Sequence, residues 1–190
     1  MSSKVFFAAA LLAAAIAGPS HAGPIADKGR EAETLAGSGD PLKAFEALDA
    51  AAEQIWNEMP LTIRKVLLVE SAEGYGIYAP RESSVYKSGE SIRIYTEPVG
   101  FGYGRTALGG YEVAFDIDFA VTDESGEEVL NEEDFLAFAM PLRYRNREFQ
   151  LTLTVNLDGA PAGRYTGTFL MKDKHSEKTT SFFIPFEIGE

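Results

Sequence analysis

The spacing of apolar residues divides the chain into an unbroken apolar run, a stretch of helical period and a longer stretch of alternation. The helical stretch, Ile25 to Asn57, is alanine-rich and acidic and breaks at Gly37-Ser38-Gly39. After the break, Leu42, Phe45, Leu48, Ala52, Ile55 and Trp56 recur at three- and four-residue steps, which puts them on one side of a helix and predicts that side to be buried. Asp40 stands where it can cap this helix, and Pro41 suits its first turn. Glu46, Asp49, Glu53 and Glu58 fall mostly off the stripe and are expected in solvent. Met59-Pro60 ends the helix, because proline disfavours helical geometry in the residue before it.

From Thr62 the period becomes two. Thr62 to Glu70, Tyr75 to Tyr78 and Ser91 to Pro98 read as strands from their β-branched and aromatic content. Tyr111, Val113, Phe115, Ile117, Phe119 and Val121 share one face, opposite Glu112, Ala114, Asp116, Asp118 and Ala120. Asp123 to Gly126 is a turn, followed by an acidic stretch to Asp134 and a mixed strand from Phe135 to Arg145. Phe149, Leu151, Leu153, Val155 and Leu157 alternate cleanly with polar residues, and Arg164 to Lys172 and Thr179 to Ile188 form a closing hairpin. Alternating strands joined by Gly, Pro and Asp turns, with no helices between them, predict a mainly β fold: an antiparallel β-sandwich behind a short N-terminal helical segment. An orthogonal barrel carries the same alternation and differs only in strand pairing.

The apolar run adds a location. Met1 to Lys4, then Val5 to Ala17, then Gly18-Pro19-Ser20-His21-Ala22 have the layout of a secretory signal, with cleavage expected after Ala22. The run is shorter than the roughly 18 to 20 residues that span a bilayer, so no membrane span is expected after cleavage. An alanine-rich leader of this style points to the bacterial periplasm, with release from the cell as the alternative. The expected organisation is a signal peptide at 1–22, a helical segment at 23–60 and a β-sandwich domain at 61–190.

Composition then removes function classes. The chain has no cysteine, which excludes thiol nucleophiles, iron–sulfur sites and thiolate zinc sites. Of its two histidines, His21 falls in the leader and only His175 remains, so chemistry needing paired imidazoles is excluded. A net charge of −12 repels phosphate backbones, and no nucleic-acid partner is expected. No cofactor and no metal is expected either.

Two segments carry a family likeness. Val85-Tyr-Lys-Ser-Gly-Glu-Ser-Ile-Arg-Ile-Tyr95 resembles the opening of immunoglobulin-like and macroglobulin-like sandwich domains, and Gly163-Arg-Tyr165 through the closing Phe-Glu-Ile188 resembles their final hairpin. Together with Glu97 to Tyr103 and Asn146 to Thr154, the chain is similar to an exported proteobacterial family without an assigned activity. The likeness spans about residues 60 to 190 and implies an immunoglobulin-like β-sandwich, while transferring no catalytic residue. The inter-sheet disulfide of antibody domains and the thioester of macroglobulins are both absent from the sequence.

Gly100-Phe-Gly-Tyr-Gly-Arg105 is the most unusual segment. It lacks the following helix that a phosphate-binding loop requires. Its sharper reading is a carbohydrate or small-ligand site, with Phe101, Tyr103 and Tyr111 as stacking platforms and Glu97 and Arg105 as polar handles. The competing reading folds these rings back over one end of the sandwich. Arg143, Arg145 and Arg147 stand two apart, so a continuous strand would point all three from one face as an anion or partner surface. Internal charge balance against the acidic stretch competes with that reading. Asp116, Asp118, Asp123 and Glu124 do not follow an EF-hand frame, and His175 lies in a polar turn expected to be solvated.

The function expected from this pattern is a non-enzymatic periplasmic binding or interaction module, whose partner is an envelope protein or a cell-envelope component. The rival classes are the carbohydrate or small-ligand site above, a carboxylate-dependent glycan hydrolase, and an assembly factor that pairs an exposed edge strand with a client.

Overall fold

The computed structural model describes residues 23–190; the expected signal, residues 1–22, lies outside the described residues. The chain divides into two compact units, one ending at Ala52 and the other running from Glu53 to Glu190.

Helix α1 (Pro24–Gly37) opens with proline in its first turn, and two residues past its end Gly39, with φ of 85°, lets the chain reverse. Asp40 then caps α2 (Pro41–Glu58), its Oδ1 accepting from the Lys43 amide at 3.3 Å. The buried side of α2 differs from expectation. Leu42 and Phe45 are each 68% exposed and Leu48 and Ile55 are also exposed, whereas Ala44, Ala47, Ala51 and Trp56 are buried. In the first unit Ala44 and Ala47 pack with Ala32 and Leu35 of α1. Small side chains permit the two helices to approach closely, and Leu42, Phe45, Leu48 and Ile55 of the stripe are left outside while Trp56 is buried.

The second unit is mainly β and built on two separate sheets, with no closed barrel. One sheet has four strands in the order β2-β1-β4-β8, drawn from β1 (Thr62–Gly74), β2 (Ile77–Pro80), β4 (Ile92–Val99) and β8 (Leu151–Val155). The other has six strands. Its path is β3-β10-β9-β6-β5, and β7 pairs with the other side of β6. These strands are β3 (Val85–Tyr86), β5 (Gly104–Arg105), β6 (Tyr111–Asp123), β7 (Glu128–Leu142), β9 (Gly163–Asp173) and β10 (Thr179–Ile188). The pairings are antiparallel except for the short parallel contact of β3 with β10.

Alternation produced this arrangement directly. Val113, Phe115, Ile117, Phe119 and Val121 of β6 are buried, as are Phe149, Leu151, Leu153 and Val155, and residues from both sheets share one apolar core. Phe119, Phe169 and Phe182 stack in succession within it, with centroid separations of 4.6 and 5.0 Å.

Two strand expectations need correction. Tyr75 and Gly76 form a turn, not a strand, because Gly76 at φ 70° reverses the chain between β1 and β2. The acidic stretch before Phe135 is not a connection: β7 begins at Glu128 and pairs with β6 along nearly its whole length. As a sheet edge, β7 can send its carboxylates to solvent without burying charge. A bulge absorbs the mismatch at Asp134, which has φ 57° and donates its amide to Asp118 Oδ1 at 3.0 Å.

Candidate binding site

The glycine-aromatic segment lies against the β9–β10 turn. Phe101 is 1% exposed and meets Trp56, Tyr103, Phe115 and Phe149 edge-on, so it is a core residue and offers no ring face to a ligand. The Trp56 indole N–H donates to the Phe101 carbonyl at 2.8 Å. The alternating glycines provide close approach. A Cβ on Gly100, whose φ is 79°, would come within 2.6 Å of the Pro60 carbonyl oxygen, and one on Gly104 would collide with the imidazole of His175. From the facing turn, Asp173 accepts the Gly102 amide at 2.6 Å, and Lys178 Nζ donates to the Gly100 and Asn57 carbonyls at 2.8 and 2.9 Å.

Tyr103, Arg105 and Tyr111 do come together, but their rings are covered by the protein's own cations. The Arg105 guanidinium lies 4.1 Å from the Tyr111 ring centroid, and Arg145 stands 5.6 and 5.3 Å from those of Tyr103 and Tyr111. Tyr103 donates its hydroxyl to the Asn146 carbonyl, and burial pushes its pKa up to about 12. The three arginines do not share a strand face, because β7 stops at Leu142 and the chain bends through Arg143 and Tyr144. Arg145 turns to the two tyrosines and pairs with Glu53, while Arg143 borders a shallow depression beside Leu108. His175 is not a solvated turn residue. Its Nε2 is buried 3.2 Å from Glu112 Oε1, without hydrogen-bonding alignment.

Glu97 lies apart from that cluster. It is 4% exposed on β4 and accepts from Arg64 Nη2 at 2.9 Å, Arg64 Nε at 3.2 Å and the Tyr95 hydroxyl at 2.8 Å. The Tyr95 hydroxyl in turn accepts the Gly76 amide, and its ring packs on Tyr78. Burial acts to raise the Glu97 pKa, but the hydrogen bonds from Arg64 and Tyr95 and the charges of Lys65 and Arg64 outweigh it, and the carboxyl is held below its usual range. Arg64, Lys65, Tyr75 and Tyr78 were absent from the expected site, since their spacing in sequence does not reveal that the β1–β2 turn meets the face of β4.

Asp116 and Asp118 are each engaged by lysine, Lys174 at 2.8 Å and Lys172 at 2.7 Å. Among the described residues no group of three or more histidine, aspartate or glutamate side chains is arranged to hold a metal. Nor is any described helix long and apolar enough to cross a membrane.

A cleft of about 550 Å³ is bordered by β7 and by the end of β8 with the loop that follows it. Phe119, Val121, Leu130, Phe135, Val155, Leu157 and Tyr165 provide an apolar lining, and Asp123, Glu132 and Asp158 add carboxylates with no basic residue among them. Its volume lies within the roughly 300 to 1,000 Å³ of ligand sites. Asp123 is held below the usual carboxylate range, chiefly by the Ser125 hydroxyl, with further hydrogen bonds from the Glu127 and Ser125 amides. It is therefore anionic at neutral pH. Such a lining suits apolar groups that carry positive charge. The sequence contained one signal of it, the Val129-Leu130 pair inside the acidic stretch, which has no reason to be apolar in a solvated turn.

Comparison with protein families finds no match, and comparison with curated proteins finds none either. Among solved structures, the chain is similar to the Pseudomonas fluorescens alkylpurine DNA glycosylase AlkC bound to DNA containing an abasic site analog, with a TM-score of 0.38 and 10% identity over 80% of this chain and 39% of that one. It is also similar to the structural-genomics target SoR45, with a TM-score of 0.27 and 15% identity over 68% of this chain and 86% of that one. The chain thus spans 39% of the length of the glycosylase it matches.

Proposed function

We propose that this chain is an exported, non-enzymatic binding module of the periplasm, an immunoglobulin-like sandwich that holds a cationic, apolar partner in the cleft beside β7 and β8. The observation that carries the reading is the cleft's composition, an apolar lining with three carboxylates and no basic residue. Apolar walls supply affinity, and fixed negative charge selects a positive ligand. The order β1-β4-β8 in one sheet and β10-β9-β6-β7 in the other supports the immunoglobulin-like assignment, because it follows the strand order A-B-E and G-F-C-C′ of that fold. The partner is a component of the cell envelope, in keeping with the leader-like N-terminus.

The aromatic segment is the weaker ligand site. Phe101 is enclosed, and Tyr103 and Tyr111 are already stacked against arginine. Titration of the isotopically labelled protein with hexylammonium and with hexanoate, read as backbone amide shifts, tests the reading. Shifts from hexylammonium centred on Leu130, Phe135, Leu157 and Ala160, with none from hexanoate, are expected. Shifts centred on Tyr103 and Tyr111, or equal responses to both ions, would contradict it.

A further inference from the structure

Strand β8 is an open edge. It pairs with β4 from Ile92↔Val155 to Thr96↔Leu151, and no described strand lies on its other side. In an immunoglobulin-like sheet of order A-B-E-D, the strand in the place of β8 is paired on both sides. Here the residues that would supply the fourth strand, Arg143 to Gln150, form none. The vacant strand position adjoins the cleft, because Val155 and the residues after it are part of the cleft wall.

The remaining edges are defended and this one is not. β7 carries Glu128, Glu132 and Glu133, a bulge at Asp134 and Pro141. β2 is short, ends in proline and pairs with β1 through register shifts, and β3 and β5 are each only two residues long. Charges, prolines, bulges and brevity are the means by which sheets discourage added strands. β8 reads Leu151-Thr-Leu-Thr-Val155, with no charge, proline, glycine or register shift. Its leucines and valine face the core, and its threonines face outward.

We propose that β8 receives a strand from a partner protein, an extended segment whose cleft-facing positions carry apolar residues together with lysine or arginine. The proposal rests on the reading of the cleft as a binding site and names its occupant. The partner's backbone pairs with the outer edge of β8 and supplies the missing strand. The side chains at every second position of the added strand share one face and enter the cleft, the apolar ones toward Leu130, Phe135 and Val155. The basic side chains on that same face meet Asp123, Glu132 and Asp158, and complementary charge fixes which segments are accepted.

The test uses the full-length chain and a capped synthetic peptide of about six residues, near the usual strand length, in which valine and lysine share every second position and threonine fills the others. Amide hydrogen exchange and calorimetry are recorded with this peptide and with two versions N-methylated at alternate residues, one for each backbone edge. The proposal predicts that the unmodified peptide slows exchange at amides of Leu151 to Val155 and shifts the cleft residues. Methylation along one edge should weaken binding about tenfold or more, as loss of several backbone hydrogen bonds implies, while methylation along the other leaves it nearly unchanged. Equal affinity for both methylated versions, with the cleft still shifting, would overturn strand pairing and leave the cleft reading standing. Hexylammonium shifting the cleft while no peptide binds would do the same. No response of the cleft to any of these probes would remove both. Self-association of the chain with β8 amides protected before peptide is added would overturn the proposal in favour of a second copy as occupant.

Discussion

At Asp173, a single carboxylate accepts the amides of Gly102 and His175 and the hydroxyl of Ser176, and it is 6% exposed. Substitution Asp173→Ala would leave buried donors unsatisfied, and a loss of about 2 to 3 kcal/mol in urea unfolding is expected. Gly104→Ala drives a methyl group into His175 and should cost about 1 to 3 kcal/mol, where a flexible loop would tolerate it. Glu97 adds a pH dependence. Its folded pKa is depressed, so its contribution is fully present above the unfolded carboxyl value of about 4.3 and is lost as pH falls through the folded value. Unfolding measured against pH should therefore show wild type more stable than Glu97→Gln at neutral pH, with the gap closing below about pH 4. A gap independent of pH would assign the effect to packing.

Among the elements, the strands were legible because burial of one sheet face imposes strict alternation, which runs through β6, β8 and β9 in the sequence itself. The buried side of α2 was not legible. Helical period groups Leu42, Phe45 and Leu48 on one side, but it cannot say that a helix neighbour accepts only the alanine side. The polarity of β7 misled for a related reason: an edge strand can be almost wholly acidic, and its pairing with β6 leaves no mark in its own composition. The site was legible only in fragments. Glu97, Tyr103, Arg105 and Tyr111 were named, yet Glu97 sits in a separate cluster, and the cleft depends on which strands become edges, a property of sheet order. The α2 arrangement makes its own prediction. Phe45→Gln should change thermal unfolding of the helical circular-dichroism signal by no more than about 0.5 kcal/mol, whereas Ala44→Leu should cost about 1 to 3 kcal/mol by forcing the helices apart.

Over the whole molecule, the net charge of −12 has the same sign as the carboxylates of the cleft. Association with a basic segment should be steered by that charge and weaken as salt shortens the Debye length to about 8 Å at physiological ionic strength. Thermal stability should change much less over the same salt range, because the core is apolar and drawn from both sheets. The central claim is that the cleft is where binding occurs. Its most direct test is calorimetric affinity of the valine–lysine peptide for wild type and for Ala160→Trp, whose indole fills the cleft from a partly exposed position. With the melting temperature unchanged, this substitution should weaken binding at least about tenfold, or about 1.4 kcal/mol. Equal affinity of the two proteins would contradict it.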